Sequence, residues 1–226
     1  MFLRSTVLLG VLVFILTLLG VSLTAESQAP QANSPQPLEK PNKEWAIIEG
    51  FRSAKFGMNE KQVMQTIAKD FRVSKNRVRR AISFADKTTS LMIQIPKLIE
   101  VGGPADIVYI LGYKSKKLLQ VNIDWGKGIS EGTNGQEVVD AGNLLRKHFA
   151  KKRYKDDGYA LNVKISDRKI VLFRGQDKKS RTILLRMEVF KPKGKANQTK
   201  GDREVSLLLS YIDNLKKPDV LSTETK

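Results

Sequence analysis

The sequence predicts an α+β fold in which capped helices are followed by antiparallel β-sheet. Three observations carry that reading. A capping box opens an amphipathic stretch at residues 59–71. Period-two segments separated by turn residues follow it. After a glycine-rich connection the same order of helix and then strands begins again, which suggests a tandem helix-plus-sheet arrangement.

Residues 1–25 carry a single charge, Arg4, ahead of the apolar run VLLGVLVFILTLLGVSL and the small-residue exit Leu23-Thr24-Ala25. A basic start, an apolar middle and small residues at the end are the parts of a secretory signal. The uncharged run 5–25 also approaches the ~20 residues that span a bilayer, so an uncleaved signal anchor is the alternative. Arg4 keeps the N-terminus on the cytoplasmic side in either case. The expected location of the remaining chain is the periplasm or the extracellular space, or an anchored position facing out of the cytoplasm. Residues 26–43 hold four of the eight prolines and only Leu38 among aliphatic side chains, which describes an extended spacer unable to bury a core. Residues 44–126 and 127–226 are the two expected α+β modules, the second ending in a mobile tail.

Trp45, Ile47, Ile48 and Phe51 mark the start of the folded part. Asn59 is placed to cap a first helix, with Gln62 returning the bond and Met58 stapled onto Val63; Ile67, Ala68 and Phe71 continue the apolar face. A second short helix is expected from Ser74, with Val78, Ala81 and Ile82 inward. Strands follow at residues 88–95, 107–113 and 118–125, the last two joined by the polar loop 114–117. Leu119, Val121, Ile123 and Trp125 are expected on one face, with Gln120, Asn122 and Asp124 on the other. Thr133 and Gln136 suggest a second capping box and a helix running to about Arg153. Its acids lie near the start and its bases near the end, as the helix dipole favours. Further strands are expected near residues 160–165, 169–174, 181–190 and 203–213, with a polar, mobile loop at 191–202.

The chain has 40 Lys and Arg against 23 Asp and Glu, a net charge of +17, with one histidine and no cysteine. Without cysteine there are no disulfides and no lipid attached through a thiol. His148 alone provides neither a metal site nor a Ser-His-Asp triad. The chain contains neither G-x-S-x-G nor G-x-x-x-x-G-K-[ST]. Asp106, Asp124, Glu131 and Asp140 are scattered along the chain, and nothing local makes two of them converge. No cofactor, metal or catalytic residue is therefore assigned, and a non-enzymatic protein is expected. An enzyme assembled from distant carboxylates is the remaining chemical alternative.

The basic residues are the candidate site. Arg72, Lys75, Arg77, Arg79 and Arg80 form one cluster, and Arg146, Lys147, Lys151, Lys152 and Arg153 a second around His148. If they share a face, they make a surface for an anionic envelope component or a protein; dispersed, they are solvating charge. Residues 60–82 also read like a helix-turn-helix whose Ser-led basic second helix enters a DNA groove. Against that stand the export signal and Arg72, which occupies the usual glycine position of the turn, where a left-handed backbone is costly.

Phe56-Gly57-Met58, followed by Gln62-Val63 and Ile67-Ala68, resembles the motif that starts the helix in two exported groups. These are the small outer-membrane assembly lipoproteins of the SmpA/BamE type and the β-lactamase inhibitor protein. The likeness covers about a dozen residues, and the order of helix and strands extends it over residues 51–125. It implies a tandem helix-plus-antiparallel-sheet architecture and a non-enzymatic protein that binds other proteins through its sheet face or loops. The chain departs from both groups in lacking the lipoprotein cysteine and the inhibitor's disulfides, and its second half has no second Gly-Met. Phe56, Gly57, Met58 and Val63 read as core rather than contact.

Overall fold

The computed structural model describes residues 43–129, 134–190 and 204–221. They fall within one compact unit, residues 41–226; a separate unit, residues 1–40, lies outside the described residues together with the expected leader and spacer. The expected loop at 191–202 and Thr133 also lie outside them.

A two-stranded hairpin, β1 (Gly50–Phe51) and β2 (Ala54–Lys55), precedes the first helix, α1 (Glu60–Phe71). The helix starts as its sequence requires. Asn59 accepts a bond from the Gln62 amide, and the Gln62 side chain accepts one from the Asn59 amide, both at 2.9 Å. Gly57, at φ 85, makes the turn into it. Val63 and Ile67 are fully buried.

Arg72 ends α1 in the left-handed region, at φ 54 and ψ 35, its amide bonded to the Ala68 carbonyl. The expectation that an arginine avoids this conformation is therefore corrected: closing the helix offsets the steric cost. The second helix expected from Ser74 is also absent. Lys75–Arg77 form one 3₁₀ turn, and β3 (Arg79–Ile82) follows as a strand paired to β4 (Thr89–Ile95). Ala81 and Ile82 are exposed rather than inward.

Next come β5 (Ala105–Leu111) and β6 (Leu118–Gly126), then α2 (Gly135–Phe149) and the strands β7 (Ala160–Lys164), β8 (Lys169–Gln176), β9 (Thr182–Phe190) and β10 (Glu204–Ile212). Asn134 caps α2, accepting from the Gln136 amide at 2.8 Å. This helix stops at Phe149, short of Arg153. The Tyr154 hydroxyl returns to the Phe149 carbonyl at 3.1 Å. The backbone of Arg153 pairs instead with Glu44 and Ala46.

β3 to β10 form one antiparallel sheet in the order β3-β4-β5-β6-β10-β9-β8-β7. Each half of the chain contributes a helix and then four strands, and the final strands of the halves, β6 and β10, pair at the centre. Among the described residues the fold is thus mixed α+β, with two α-helices and a large antiparallel sheet. One cross-strand row runs Ile93, Ile107, Ile123, Leu209, Leu185, Phe173. All six are buried, and both helices lie over this face. Glu60 of α1 reaches Arg80, while Gly142 of α2 abuts Leu172, Met187 and Leu207. Val121, Ile123 and Trp125 point here as expected. Leu119 does not join them; a register shift beside Leu111 buries Leu118 in its place.

The segment before β1 is tied to the second half of the chain. The Arg153 guanidinium and the Lys178 ammonium both approach the Trp45 ring, 4.5 and 4.7 Å from its centre. The buried Asp177 carboxylate accepts from the Ile48 amide at 3.1 Å and from the amides of Lys179 and Arg181 at 2.9 Å.

Candidate functional site: the open sheet face and the basic clusters

Pleating sends alternate residues of the sheet to the side away from the helices. One residue from each strand makes a row there: Arg79, Met92, Val108, Asn122, Ser210, Leu184, Arg174, Ala160. Most are half-buried, in contrast with the dry row of isoleucines and leucines beneath α1 and α2. At its centre Asn122 accepts bonds from the Ser210 hydroxyl and the Gln120 amide, each at 2.8 Å. The face therefore alternates half-exposed aliphatic side chains with fixed polar ones.

The next row carries the strongest electrostatic feature of the sheet. Asp106 and Asp124 are directly paired across β5 and β6, with Leu208 and then Arg186 beyond Asp124. Burial, together with the Asp106 charge, raises Asp124 from 3.8 to about 6, while Arg186 opposes the rise. Arg79 lies 3.6 Å from Asp106 on the side toward the sheet edge. One Asp106 carboxyl oxygen is enclosed without a hydrogen-bond partner among the described residues. The expectation that these carboxylates stay scattered is corrected: the β5–β6 hairpin brings two of the four together. Their spacing hides this. A polar loop at 114–117 would set Tyr113 opposite Leu118 and so Asp106 opposite Trp125. The hairpin instead closes at Gly112 and Lys117, and a bulge resets the register.

The two basic clusters lie over different halves of the sheet. Arg72, Lys75, Arg77, Arg79 and Arg80 follow α1 and run along the β3 edge. Arg146 and Lys147 end α2, which packs on β8, β9 and β10, and Lys151, Lys152 and Arg153 follow it. Several of these charges are engaged locally. Arg80 makes a two-pronged pair with Glu60, at 2.9 and 3.3 Å, and Lys152 pairs with Glu44. Arg153 stacks on Trp45, and Arg146 reaches Asn162 at 3.3 Å. His148 is exposed and packs edge-on against Phe149.

A cavity of about 670 Å³, which the sequence reading missed, lies on the helix-covered side, between α1 and the segment leading into β3. Its floor includes Leu91, and Met64, Ala68, Val73 and Val78 form its walls. The sequence signal was Ala68, a small and exposed residue inside an otherwise bulky helix stripe. Among the described residues no group of three or more His, Cys, Asp or Glu is arranged to hold a metal ion. Among them, too, no helix is long and apolar enough to cross a membrane. In comparisons with known proteins, no family model, no curated protein and no solved structure matches this chain.

Proposed function

We propose that this chain is an exported, non-enzymatic binding or envelope-assembly protein that docks a partner protein on its open sheet face. The single observation behind this reading is the row from Met92 to Arg174, half-exposed except at the buried Ser210, crossing both halves of the chain on the side opposite the helices. Aliphatic groups at Val108, Leu184 and Leu208 offer area, and the Asp106–Asp124 pair offers a negative centre within a strongly basic molecule. The partner that fits has an apolar surface carrying a lysine or arginine. The basic clusters would meet anionic envelope components outside that contact. Export rests on the leader at residues 1–25.

The repeated order of one helix and four meandering strands, joined through β6 and β10, supports reading the two halves as a tandem repeat. That is the architecture the helix-start resemblance implies. The nucleic-acid alternative loses its recognition element, since Arg79–Ile82 is a strand at the sheet edge rather than a helix.

The test places a photo-crosslinking residue at Val108 in the tagged full chain, with a control at Lys147, in the native cells. Crosslinks to a particular envelope protein from Val108 and not from Lys147 are expected. Recovery of the full-length chain in the cytoplasm with its leader intact would remove the export reading. Silence at Val108 would remove the docking face.

One observation favours a second reading. Two carboxylates paired across adjacent strands, with Asp124 raised to about 6 by burial and by the Asp106 charge, make the arrangement of an acid–base pair. Asp106 and Asp124 lie on the sheet and not in the cavity, which leaves a substrate little enclosure. Hydrolytic activity lost in both Asp106→Asn and Asp124→Asn, with neither variant less stable than the wild type, would establish it.

A further inference from the structure

We propose that the cavity between α1 and β3 binds a single-chain anionic amphiphile, an acyl chain headed by a carboxylate or similar anion. It lies on the opposite side of the sheet from the proposed docking face and does not depend on that reading.

The cavity is built by two local features of the chain. Glu60, Met64 and Ala68 stand one turn apart on α1, beside the buried stripe of Val63 and Ile67, and make a wall about 12 Å long. The opposite wall exists because the chain after Arg72 turns once and becomes β3, instead of packing a second helix against the first. Val73 and Val78 border the gap, and Leu91 of β4 closes its floor. Ala68 leaves open the space that a larger side chain would fill. The volume of about 670 Å³ lies within the ~300–1,000 Å³ of sites that take small organic ligands.

The rim decides the head group. Lys61, Lys75, Arg80 and Glu60 surround the opening. Glu60 is already held by Arg80, at 2.9 Å, so these two largely cancel. Lys61 and Lys75 make no ion pair among the described residues, nor does Arg77 beside them. An apolar floor beneath surplus ammonium groups matches a molecule with a greasy body and one negative end. A neutral alcohol of the same length gains the floor but not the rim, and an acyl chain offers no ordered backbone to accommodate. An exposed charge contact of this kind is modest, so the expected discrimination is about tenfold rather than thousandfold.

The experiment titrates the full chain with dansyl-undecanoate and follows displacement by laurate and by dodecanol. Saturable binding is expected, with laurate displacing about ten times better than dodecanol. Ala68→Trp, at an exposed helix position, fills the cavity; it should weaken laurate at least tenfold while far-UV circular dichroism and the melting temperature hold. Lys61→Glu with Lys75→Glu should erase the preference for laurate over dodecanol. Lys164→Glu, exposed on β7 at the opposite edge of the sheet from β3, should change neither. Absence of saturable binding overturns the proposal, as does equal affinity for laurate and dodecanol, or an Ala68→Trp protein that binds as before. Binding to phosphatidylglycerol vesicles without binding to laurate would assign the cations to a membrane surface. An acidic amphipathic peptide that binds where laurate does not would assign the cavity to a protein helix; either result overturns the proposal.

Discussion

Asp106 and Asp124 face each other across adjacent strands in the middle of the sheet, and burial beside a like charge holds Asp124 protonated up to about pH 6. Directly opposed like charges destabilise a sheet. With both ionised, the pair therefore weakens this face, and Arg79 beside Asp106 and Arg186 near Asp124 offset part of the repulsion.

The sign of the pH effect follows. The ordinary value of Asp124 is 3.8, so between about pH 6 and pH 4 the folded chain holds a proton that the unfolded chain has released. This group's contribution to stability therefore rises as pH falls through 6 and levels off below 4. Asp124→Asn, which mimics the protonated form, should exceed the wild type in stability by about 1–2 kcal/mol near pH 7.5, with most of the difference gone near pH 4.5. Urea denaturation of both proteins at the two pH values measures it. A difference that stays constant would show that Asp124 titrates normally.

Asp177→Ala removes the acceptor for three backbone amides, those of Ile48, Lys179 and Arg181, at a site that is 3% exposed. The loss should be about 2–4 kcal/mol, because the Ile48 amide it leaves is buried and those of Lys179 and Arg181 are partly so. It should also loosen the backbone at Ile48, while residues 44–46 stay held by Arg153, and hydrogen exchange at the Ile48 amide would report that separately from the melting temperature.

Asp219 fastens the C-terminal segment to the β5–β6 turn. Its carboxylate accepts from the amides of Lys114 and Ser115 at 2.9 and 2.8 Å, and its pKa is lowered first by the Ser115 side chain and then by these amides. The stabilisation is present above 3.8 and is lost as pH falls through the lower folded value. Asp219→Ala should cost about 1–2 kcal/mol at neutral pH. Limited proteolysis should then cut after Asp213 sooner than in the wild type. An unchanged cleavage rate would mean that the segment is held by other contacts.

Gly126 and Gly128 separate space from backbone conformation. Both have positive φ, 87 and 88. A Cβ at Gly126 would sit 2.1 Å from the Val205 carbonyl oxygen, whereas at Gly128 it would meet nothing within 4 Å. Gly128→Ala should cost about 1 kcal/mol from conformation alone. Gly126→Ala should cost several times more, because it parts β6 from β10. Thermal denaturation of the two single variants gives the comparison, and equal losses would contradict the packing at the seam.

What the sequence made legible was local. The Asn59–Gln62 box, the alternation in β4 to β6 and the four later strands each depend on residues a few positions apart. The failures depend on distant partners. Val78, Ala81 and Ile82 fit a helical spacing, but β4 offers Arg79–Ile82 a ladder, and pairing outweighed local pattern. α2 is shorter than its basic tail suggested, because the segment around Glu44, more than a hundred residues earlier, takes the backbone of Arg153. The meeting of Asp106 with Asp124 turned on one bulge. Separating the two basic clusters required the strand order, which a sequence with no alignment of strands does not reveal.

The pairing of β6 with β10 also constrains how the molecule matures. β6 finishes the first half, yet its outer neighbour is synthesised only after α2 and three more strands. Throughout that interval an apolar strand has one bare flank, which is the condition under which a growing chain pairs with the wrong neighbour. On the proposed export route this hazard falls on the far side of the membrane, where both halves must be present before the middle can shut.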